Sequence, residues 1–270
     1  MTPPAVIAQG LVKVFKDRKR GEVRAVDGVS FEAHAGQVCG LLGVNGAGKT
    51  TTLRMLSTML HPTAGDALVC NHSVVRDPEG VRHSIGFMSA ATSLYGRLTA
   101  REMVVYFGRL HGMRPAAISA RIDELFSLFG LTEFAQVRCD KLSSGNKQKV
   151  SIVRTVLHDP PVMVFDEPTA GLDVLASRTI VDFVRDCRDR GKCVLFSTHR
   201  MDEVEKLCDR VGVIHRGKLL CCEALEALRA RTPSGRVEDA FVRLVQEPEA
   251  GGTSPGPEAG GTSPGSGSAT

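Results

Sequence analysis

The pattern of hydrophobic and polar positions predicts strands in the first part of the chain, followed by helices. Short alternating runs at 6–15, 23–31 and 67–75 are typical of antiparallel strands, because successive side chains of a strand point to opposite faces. At 101–112 and 115–129 the apolar residues recur with the period of a helix, so we expect two helices there.

After residue 142 helices alternate with strands, which is typical of a parallel sheet. The predicted elements of this part are, in order, a helix, a strand at 162–165, a helix at 175–187, a strand at 193–198, a helix at 201–207 and a hairpin about Arg216 and Gly217. An apolar run at 38–42 suits a buried strand, and 236–245 suits one short helix. We therefore expect an α/β fold.

From Gln246 the composition changes to Gly, Pro, Ser, Thr, Glu and Ala, and the nonapeptide PEAGGTSPG occurs at 248–256 and again at 257–265. So few apolar groups cannot offset the entropy lost on ordering. We therefore expect a folded domain over 1–245 and a disordered tail over 246–270.

Composition limits the class of protein. With 42% hydrophobic and 24% charged residues, a chain of 270 residues can bury one substantial core. The net charge of +4 is too small to argue for a nucleic-acid partner. No apolar run approaches the ~18 residues that span a bilayer and the chain does not open on a signal-peptide pattern, so we expect it in the cytoplasm. The eight cysteines include no Cys-x-x-Cys pair, and we expect reduced, buried thiols.

A glycine-rich loop follows the apolar run at 38–42, and such a loop has one dominant chemical use, which is to hold nucleotide phosphates. It consists of Gly43, Val44, Asn45, Gly46, Ala47, Gly48, Lys49, Thr50 and Thr51. The glycines let successive backbone N–H groups point at phosphate oxygens, and the dipole of the following helix favours the same anion. Lys49 adds a positive charge, and Thr50 can place its hydroxyl on Mg²⁺. The chain is therefore a candidate nucleotide hydrolase.

Two carboxylates end the strand predicted at 162–165. Asp166 can hold Mg²⁺ beside Thr50, and Glu167 can polarise the attacking water, as a general base or by orientation alone. Paired acids at a strand end are by themselves usually just solvated. In combination with the glycine loop they predict a site for nucleotide hydrolysis.

Residues 142–149, Leu-Ser-Ser-Gly-Asn-Lys-Gln-Lys, resemble the signature of the ATP-binding cassette (ABC) ATPases. The order of motifs matches that family from residue 5 to about residue 230. Phe15 resembles the aromatic residue that stacks on adenine, residues 171–173 resemble the D-loop, and His199 resembles the switch histidine.

The resemblance implies an ABC-type P-loop core with an antiparallel β subdomain and a helical subdomain, which we place at about 90–158. It also implies two subunits that sandwich two ATP molecules. Ser143 and Gly145 of one chain would then reach the γ-phosphate held by Lys49 and Thr50 of the other. The expected ligands are ATP and Mg²⁺, and the groups expected to act in catalysis are Lys49, Glu167 and His199.

Two further stretches, 94–102 and 165–176, resemble the sodium-efflux and multidrug-export branch of the family. The resemblance implies the ATPase subunit of an exporter, held at the cytoplasmic face of the membrane by separately encoded polytopic permease subunits. Two alternatives stay open: a soluble cassette ATPase that acts on ribosomes or nucleic acid, and an ATP-gated scaffold that does not hydrolyse ATP. The intact Glu167 and His199 argue against the scaffold.

The chain departs from the family pattern at two places. In the signature, the third and fifth residues are Ser and Asn instead of Gly and Gln, while the first serine and the glycine are kept. No glutamine occurs between Gln37 and Gln136, so the Q-loop glutamine that completes the Mg²⁺ shell in the family is replaced by Ala90. Either water fills its place, which Mg²⁺ tolerates, or one of the hydroxyls in 89–93 substitutes for it.

Overall fold

The structure is a computed structural model that describes residues 3–17, 21–89 and 93–246. Its strands there are β1 (Val6–Asp17), β2 (Gly21–Ala33), β3 (Gln37–Leu42), β4 (Ala64–Val69), β5 (His72–Ser73), β6 (Ile85–Ser89), β7 (Val162–Asp166), β8 (Cys193–Thr198), β9 (Arg210–His215) and β10 (Lys218–Ala224). Its helices are α1 (Lys49–Leu56), α2 (Pro78–Ser84), α3 (Ala100–Leu110), α4 (Pro115–Phe129), α5 (Ser144–Val156), α6 (Val174–Asp189), α7 (Met201–Leu207), α8 (Leu225–Arg229) and α9 (Val237–Gln246).

The larger sheet is mostly parallel and separates two hydrophobic cores. Its strands lie in the order β10-β9-β3-β8-β7-β6, and β10 is antiparallel to its neighbour β9. Side chains of β7 alternate between the two faces of the sheet. Met163 and Phe165 belong to the core that includes residues of α3 to α9, whereas Val162 and Val164 belong to the core that includes residues of α1 and the second sheet. Because both faces are covered, β7 and β8 are buried along their whole length. The predicted α/β fold is confirmed.

The smaller sheet is antiparallel, with its strands in the order β2-β1-β4-β5. It confirms the three alternating stretches predicted near the N-terminus, with one change: the stretch predicted at 67–75 is divided into β4 and β5. Between these strands Cys70 and Asn71 have φ angles of 48° and 67°, in the left-handed region. This backbone conformation reverses the chain and ends the strand earlier than its alternating pattern predicts.

Helices α3, α4 and α5 lie between β6 and β7 in the chain, within the stretch assigned to a helical subdomain. The predicted helices at 101–112 and 115–129 are confirmed as α3 and α4. Thr99 and Glu102 form a reciprocal capping box that starts α3. A Cβ on Gly108 of α3 would lie 2.8 Å from Cγ1 of Ile118, so glycine permits the close approach of α3 and α4.

The sequence pattern does not predict α2, β6 or α8. The apolar run of β6 is only a few residues long and is buried with no alternation, so it lacks the period of either a strand or a helix. Its strand geometry comes from pairing with β7. The seven-residue α2 is set by its start, where Asp77 accepts a hydrogen bond of 3.0 Å from the N–H of Gly80 and Pro78 occupies the first turn.

Three expectations, two about the C-terminal region and one about the cysteines, have different outcomes. The short helix predicted at 236–245 is confirmed as α9. The predicted disordered tail lies, beyond Gln246, outside the residues that the structure describes. All eight cysteines are free thiols, of which five are buried and three are half-buried.

A stacked pair of histidines joins the ends of α3 and α5. The ring centroids of His111 and His158 are 3.7 Å apart, and the ring planes differ by 7°. Burial lowers the pKa of His158 to about 4, with a further lowering from His111 and His83 and an opposing contribution from Asp159. Burial and His83 also lower the pKa of His111. The ring of His158 is therefore neutral near pH 7, and the pKa of His111 is shifted in the same direction.

This pair predicts a loss of stability in mild acid. Because the folded pKa of His158 lies below its ordinary value of 6.5, protonation favours the unfolded chain as the pH falls from about 6.5 toward 4. At one pKa unit per 1.36 kcal/mol, the contribution reaches at most about 3 kcal/mol. We expect His158→Gln to lose less of its free energy of unfolding between pH 7.5 and 4.5 than the wild type, measured by urea titration.

The control for this measurement is His61→Gln, which removes an exposed histidine. It should lose as much stability as the wild type over the same pH interval. Equal losses in the wild type and in His158→Gln would contradict the assignment of the pH dependence to the stacked pair.

Candidate active site

The glycine-rich loop joins β3 to α1 at the carboxyl end of a central parallel strand. Gly48 precedes α1 with a φ of 112°, and a Cβ on it would lie 2.6 Å from the carbonyl oxygen of Ala25. A Cβ on Gly43 would overlap the carbonyl oxygen of Ile214. Glycine is therefore required at both positions for the loop to pass closely between its neighbours.

A cavity of about 340 Å³ opens over this loop. It is lined by the loop residues 45–51, by Ala25 of β2 and by Glu167. The N-terminus of α1 faces the same region, and its dipole carries a partial positive charge there. Together with Lys49, this end of the helix makes the cavity suited to an anion such as a phosphate chain.

Lys49 is buried beneath this cavity. Its Nζ donates hydrogen bonds of 2.7 Å and 3.2 Å to the carbonyl oxygens of Gly43 and Val44, and lies 3.5 Å from Oε1 of Glu167. Burial lowers the pKa of Lys49, and this effect outweighs the raising influence of Glu167 and Asp166. The lysine is therefore fixed between the loop and the acidic end of β7.

Asp166 lies where three parallel strands end side by side. The register pairs it with Ser89 of β6 on one side and Ser197 of β8 on the other. Paired residues of adjacent parallel strands point to the same face, so the three side chains meet. Ser197 Oγ donates to Asp166 Oδ1 at 2.7 Å, Thr50 Oγ1 donates to Oδ1 at 2.9 Å, and Ser89 Oγ donates to Oδ2 at 3.0 Å. Three hydroxyls thus surround a carboxylate that is only 4% exposed.

Glu167 follows directly and turns the chain out of the sheet. Its φ is 49°, an uncommon value for a residue other than glycine, and its N–H donates to the carbonyl oxygen of Ser197 at 3.1 Å. The residue lines the cavity, and its Oε1 lies 3.5 Å from Nζ of Lys49. Oε1 lies 3.3 Å from Nδ1 of His199, which follows β8. The structure therefore brings Lys49 and His199 into contact with the same atom, Oε1 of Glu167, beside the cavity.

The donor set beside the cavity fits Mg²⁺. Within the described ranges no group of three His, Cys, Asp or Glu side chains could hold a metal ion. Thr50 and Asp166 instead offer a hydroxyl and a carboxylate oxygen 2.9 Å apart. Mg²⁺ prefers oxygen ligands, and it is commonly bound by one or two protein groups together with waters and substrate phosphates. These two residues could therefore hold a Mg²⁺ that arrives with a nucleotide.

The signature residues lie apart from the cavity over the glycine loop. Ser143 is the N-cap of α5 and accepts a hydrogen bond of 3.2 Å from the N–H of Asn146, and Gly145 lies in the first turn. Neither residue is among those that line the cavity. Gln148 donates a hydrogen bond of 2.8 Å to the carbonyl oxygen of Pro168, which fixes α5 against the segment after Glu167. Within one chain the signature and the loop are therefore separate.

Another predicted position is also apart from the cavity lining. Phe15 of β1 is 41% exposed, and Lys13 Nζ lies 5.4 Å from the centroid of its ring. The ring is partly exposed, but it is not among the residues that line the cavity. Ala90, the position of the missing glutamine, lies outside the described residues.

Sequence reasoning misses Ser197 and leaves Ser89 as one of several hydroxyls near Ala90. The signal that could identify both serines is their position, because each lies at or next to the end of a strand beside Asp166. It can be used only once β6 is recognised as a strand and its register is known. Sequence reasoning also treats Gln148 only as part of the signature, whereas it bridges α5 to Pro168.

Comparison with known proteins identifies a family and several relatives. A family model described as ABC transporter matches residues 26–170. The ABC transporter ATP-binding protein NatA of Bacillus subtilis (strain 168) is 43% identical over 215 residues, which cover 79% of this chain and 87% of that protein. The Nod factor export ATP-binding protein I of Burkholderia lata is 38% identical over 212 residues, which cover 78% of this chain and 70% of that protein.

Solved structures share the fold. An ATP-binding subunit of an ABC transporter superposes with a TM-score of 0.80 at 25% identity, covering 90% of this chain and 100% of that one. A dimeric post-hydrolysis state of an ATP-binding cassette, bound to ADP and Pi, superposes with a TM-score of 0.73 at 25% identity, covering 81% of this chain and 98% of that one. The predicted resemblance to the ABC ATPases is confirmed by both kinds of comparison.

Proposed function

We propose that the chain works as a dimer that drives export through a separate membrane permease, because it belongs to the ABC transporter family and is the ATP-binding and ATP-hydrolysing subunit of a transporter. The observation that carries the proposal is the separation of Ser143 and Gly145 from the cavity over the glycine loop. A site that needs both parts is completed only by a second copy or a close relative of this chain.

Each residue around the cavity has a separate role in the proposed hydrolysis. Lys49 and the backbone amides of the loop hold the β- and γ-phosphates, because both line the cavity. Thr50 and Asp166 hold Mg²⁺, which when bound neutralises charge on the phosphate oxygens. Glu167 orients the attacking water or accepts its proton, since its carboxylate reaches the cavity. His199 contacts the γ-phosphate and holds Glu167 through the 3.3 Å contact between Nδ1 and Oε1.

The nucleotide is bound between two chains in this proposal. Phe15 stacks on the adenine ring, since its ring is partly exposed on β1. Ser143 and the N–H of Gly145 come from the partner, where the N-terminus of α5 adds a partial positive charge toward the γ-phosphate. The dimeric cassette bound to ADP and Pi, which shares the fold, supports such an assembly. Hydrolysis would remove the γ-phosphate that joins the two chains and let them separate.

The proposed permease is a polytopic membrane protein, and the site of action is the cytoplasmic face of the membrane. In the part of the chain that the structure describes, no helix is both long enough and apolar enough to cross a membrane. Export is the favoured direction because a relative with 38% identity is named for Nod factor export. The stretches 94–102 and 165–176 support the same direction by their resemblance to export ATPases.

Replacing Glu167 with glutamine tests the hydrolytic part of the proposal. The substitution keeps the shape of the side chain but removes the carboxylate that would activate water. We expect ATP affinity to stay at the wild-type value and turnover to fall roughly 10²–10⁴-fold. Glu133→Gln, at an exposed position, should keep wild-type turnover. Wild-type turnover in Glu167→Gln would contradict the role given to this residue.

Co-purification tests the proposed partner. A tagged copy of the chain, extracted from its own cells in mild detergent, should be recovered with a polytopic membrane protein. Mass spectrometry of the eluate identifies what is retained, and an untagged strain gives the background. Recovery of ribosomes or RNA without a membrane protein would contradict the transporter assignment and support a soluble cassette ATPase.

A further inference from the structure

Ser89 is a buried hydroxyl that contacts the proposed metal ligand. It is the last residue of β6, and only 3% of its surface is exposed. Its Oγ donates a 3.0 Å hydrogen bond to Oδ2 of Asp166. It immediately precedes Ala90, where the sequence lacks the expected glutamine. We propose that Ser89 is a positioning residue for Mg²⁺, acting through Asp166 in place of a direct glutamine ligand.

The hydrogen bonds to Asp166 reach both of its carboxylate oxygens, and this distribution supports the role proposed for Ser89. Thr50 and Ser197 both donate to Oδ1 of Asp166, whereas Ser89 donates to Oδ2. Rotation about the Cβ–Cγ bond moves both carboxylate oxygens, so donors on both oxygens oppose it more strongly than donors on Oδ1 alone. A hydrogen bond at the second oxygen fixes the plane of the group. Ser89 therefore sets the direction in which Asp166 presents a lone pair to a metal.

Burial makes this hydrogen bond difficult to replace. Ser89 and Asp166 are 3% and 4% exposed, and they face each other in register across β6 and β7. Removing the hydroxyl would leave a buried carboxylate oxygen without this donor, and such a loss costs free energy and orientation. The effect of the substitution should therefore appear in metal binding.

The hydroxyl acts on the metal through the carboxylate. Two explanations follow from the missing glutamine: that water completes the Mg²⁺ shell, or that a hydroxyl of 89–93 enters it. The donation from Ser89 to Oδ2 places that hydroxyl against Asp166, and the proposal gives Ser89 this indirect role and leaves the ion's remaining position to water. This inference rests on the Mg²⁺-dependent hydrolysis proposed above.

The test compares Ser89→Ala and Ser89→Cys with the wild type. The measurement is the affinity for Mn²⁺, used in place of Mg²⁺, in the presence of a non-hydrolysable ATP analogue, followed by electron paramagnetic resonance. We expect both variants to bind Mn²⁺ at least about tenfold more weakly, because residues that orient a metal ligand typically have effects of this size. Affinity for the analogue in EDTA should stay at the wild-type value, since the glycine loop is unchanged. Ser89→Thr keeps the hydroxyl and should restore most of the Mn²⁺ affinity.

Ser151→Ala is the matched control. Ser151 is also a buried serine, 4% exposed, but its Oγ has no hydrogen-bond partner among the described residues. It should bind Mn²⁺ as the wild type does. Wild-type Mn²⁺ affinity in a folded Ser89→Ala or Ser89→Cys would overturn the proposal, even if the wild type hydrolyses ATP with Mg²⁺. A wild type without Mg²⁺-dependent hydrolysis would instead overturn the proposed function, so the two failures are distinguishable.

Discussion

The organisation of the site depends on one buried carboxylate, that of Asp166. An ionised carboxylate in a protein interior is costly unless it accepts hydrogen bonds or binds a cation. Here hydroxyls from three separate elements surround it: Ser89 at the end of β6, Ser197 in β8 and Thr50 in α1. Because Thr50 lies where the glycine loop enters α1, its hydrogen bond to Asp166 fixes the loop against the end of β7. The glycine loop and the two residues proposed to hold Mg²⁺ therefore share one rigid frame.

The same frame bears on the proposal that a single chain holds only part of a catalytic site. Lys49, Glu167 and His199 are joined by contacts of 3.5 Å and 3.3 Å along one edge of the parallel sheet. The signature lies elsewhere, at the start of α5, and the hydrogen bond from Gln148 to Pro168 holds that helix in place. Each chain thus offers a phosphate loop on one surface and a helix N-terminus on another. A pair of chains can bring these surfaces together in two equivalent sites, as expected of a symmetric dimer.

The sequence predicts best those features of the structure that are encoded within one short stretch of the chain. The bounds of α4 are predicted to the residue, because Pro115 starts it and Gly130, with a φ of 63°, ends it. The glycine loop can be predicted for the same reason, since the residues that define it are consecutive. The contacts of Ser89 and Ser197 with Asp166 depend on the register of three strands that are far apart in the chain, and no single stretch encodes that register. Likewise, Phe15 can be predicted as an aromatic contact, but its position relative to the cavity follows only from the packing of the two sheets.

The central claim is that the active site is completed by a second chain, and a mixing measurement tests it most directly. Lys49→Ala removes the lysine proposed to bind phosphate, and Ser143→Arg places a bulky cation at the start of α5. Each variant alone should hydrolyse ATP far more slowly than the wild type. In a mixture, a dimer of one chain of each kind has one site with an unaltered loop and an unaltered signature. A composite site therefore predicts that the mixture turns over ATP faster than either variant alone. A mixture no faster than the separate variants, or wild-type turnover in Ser143→Arg by itself, would contradict it.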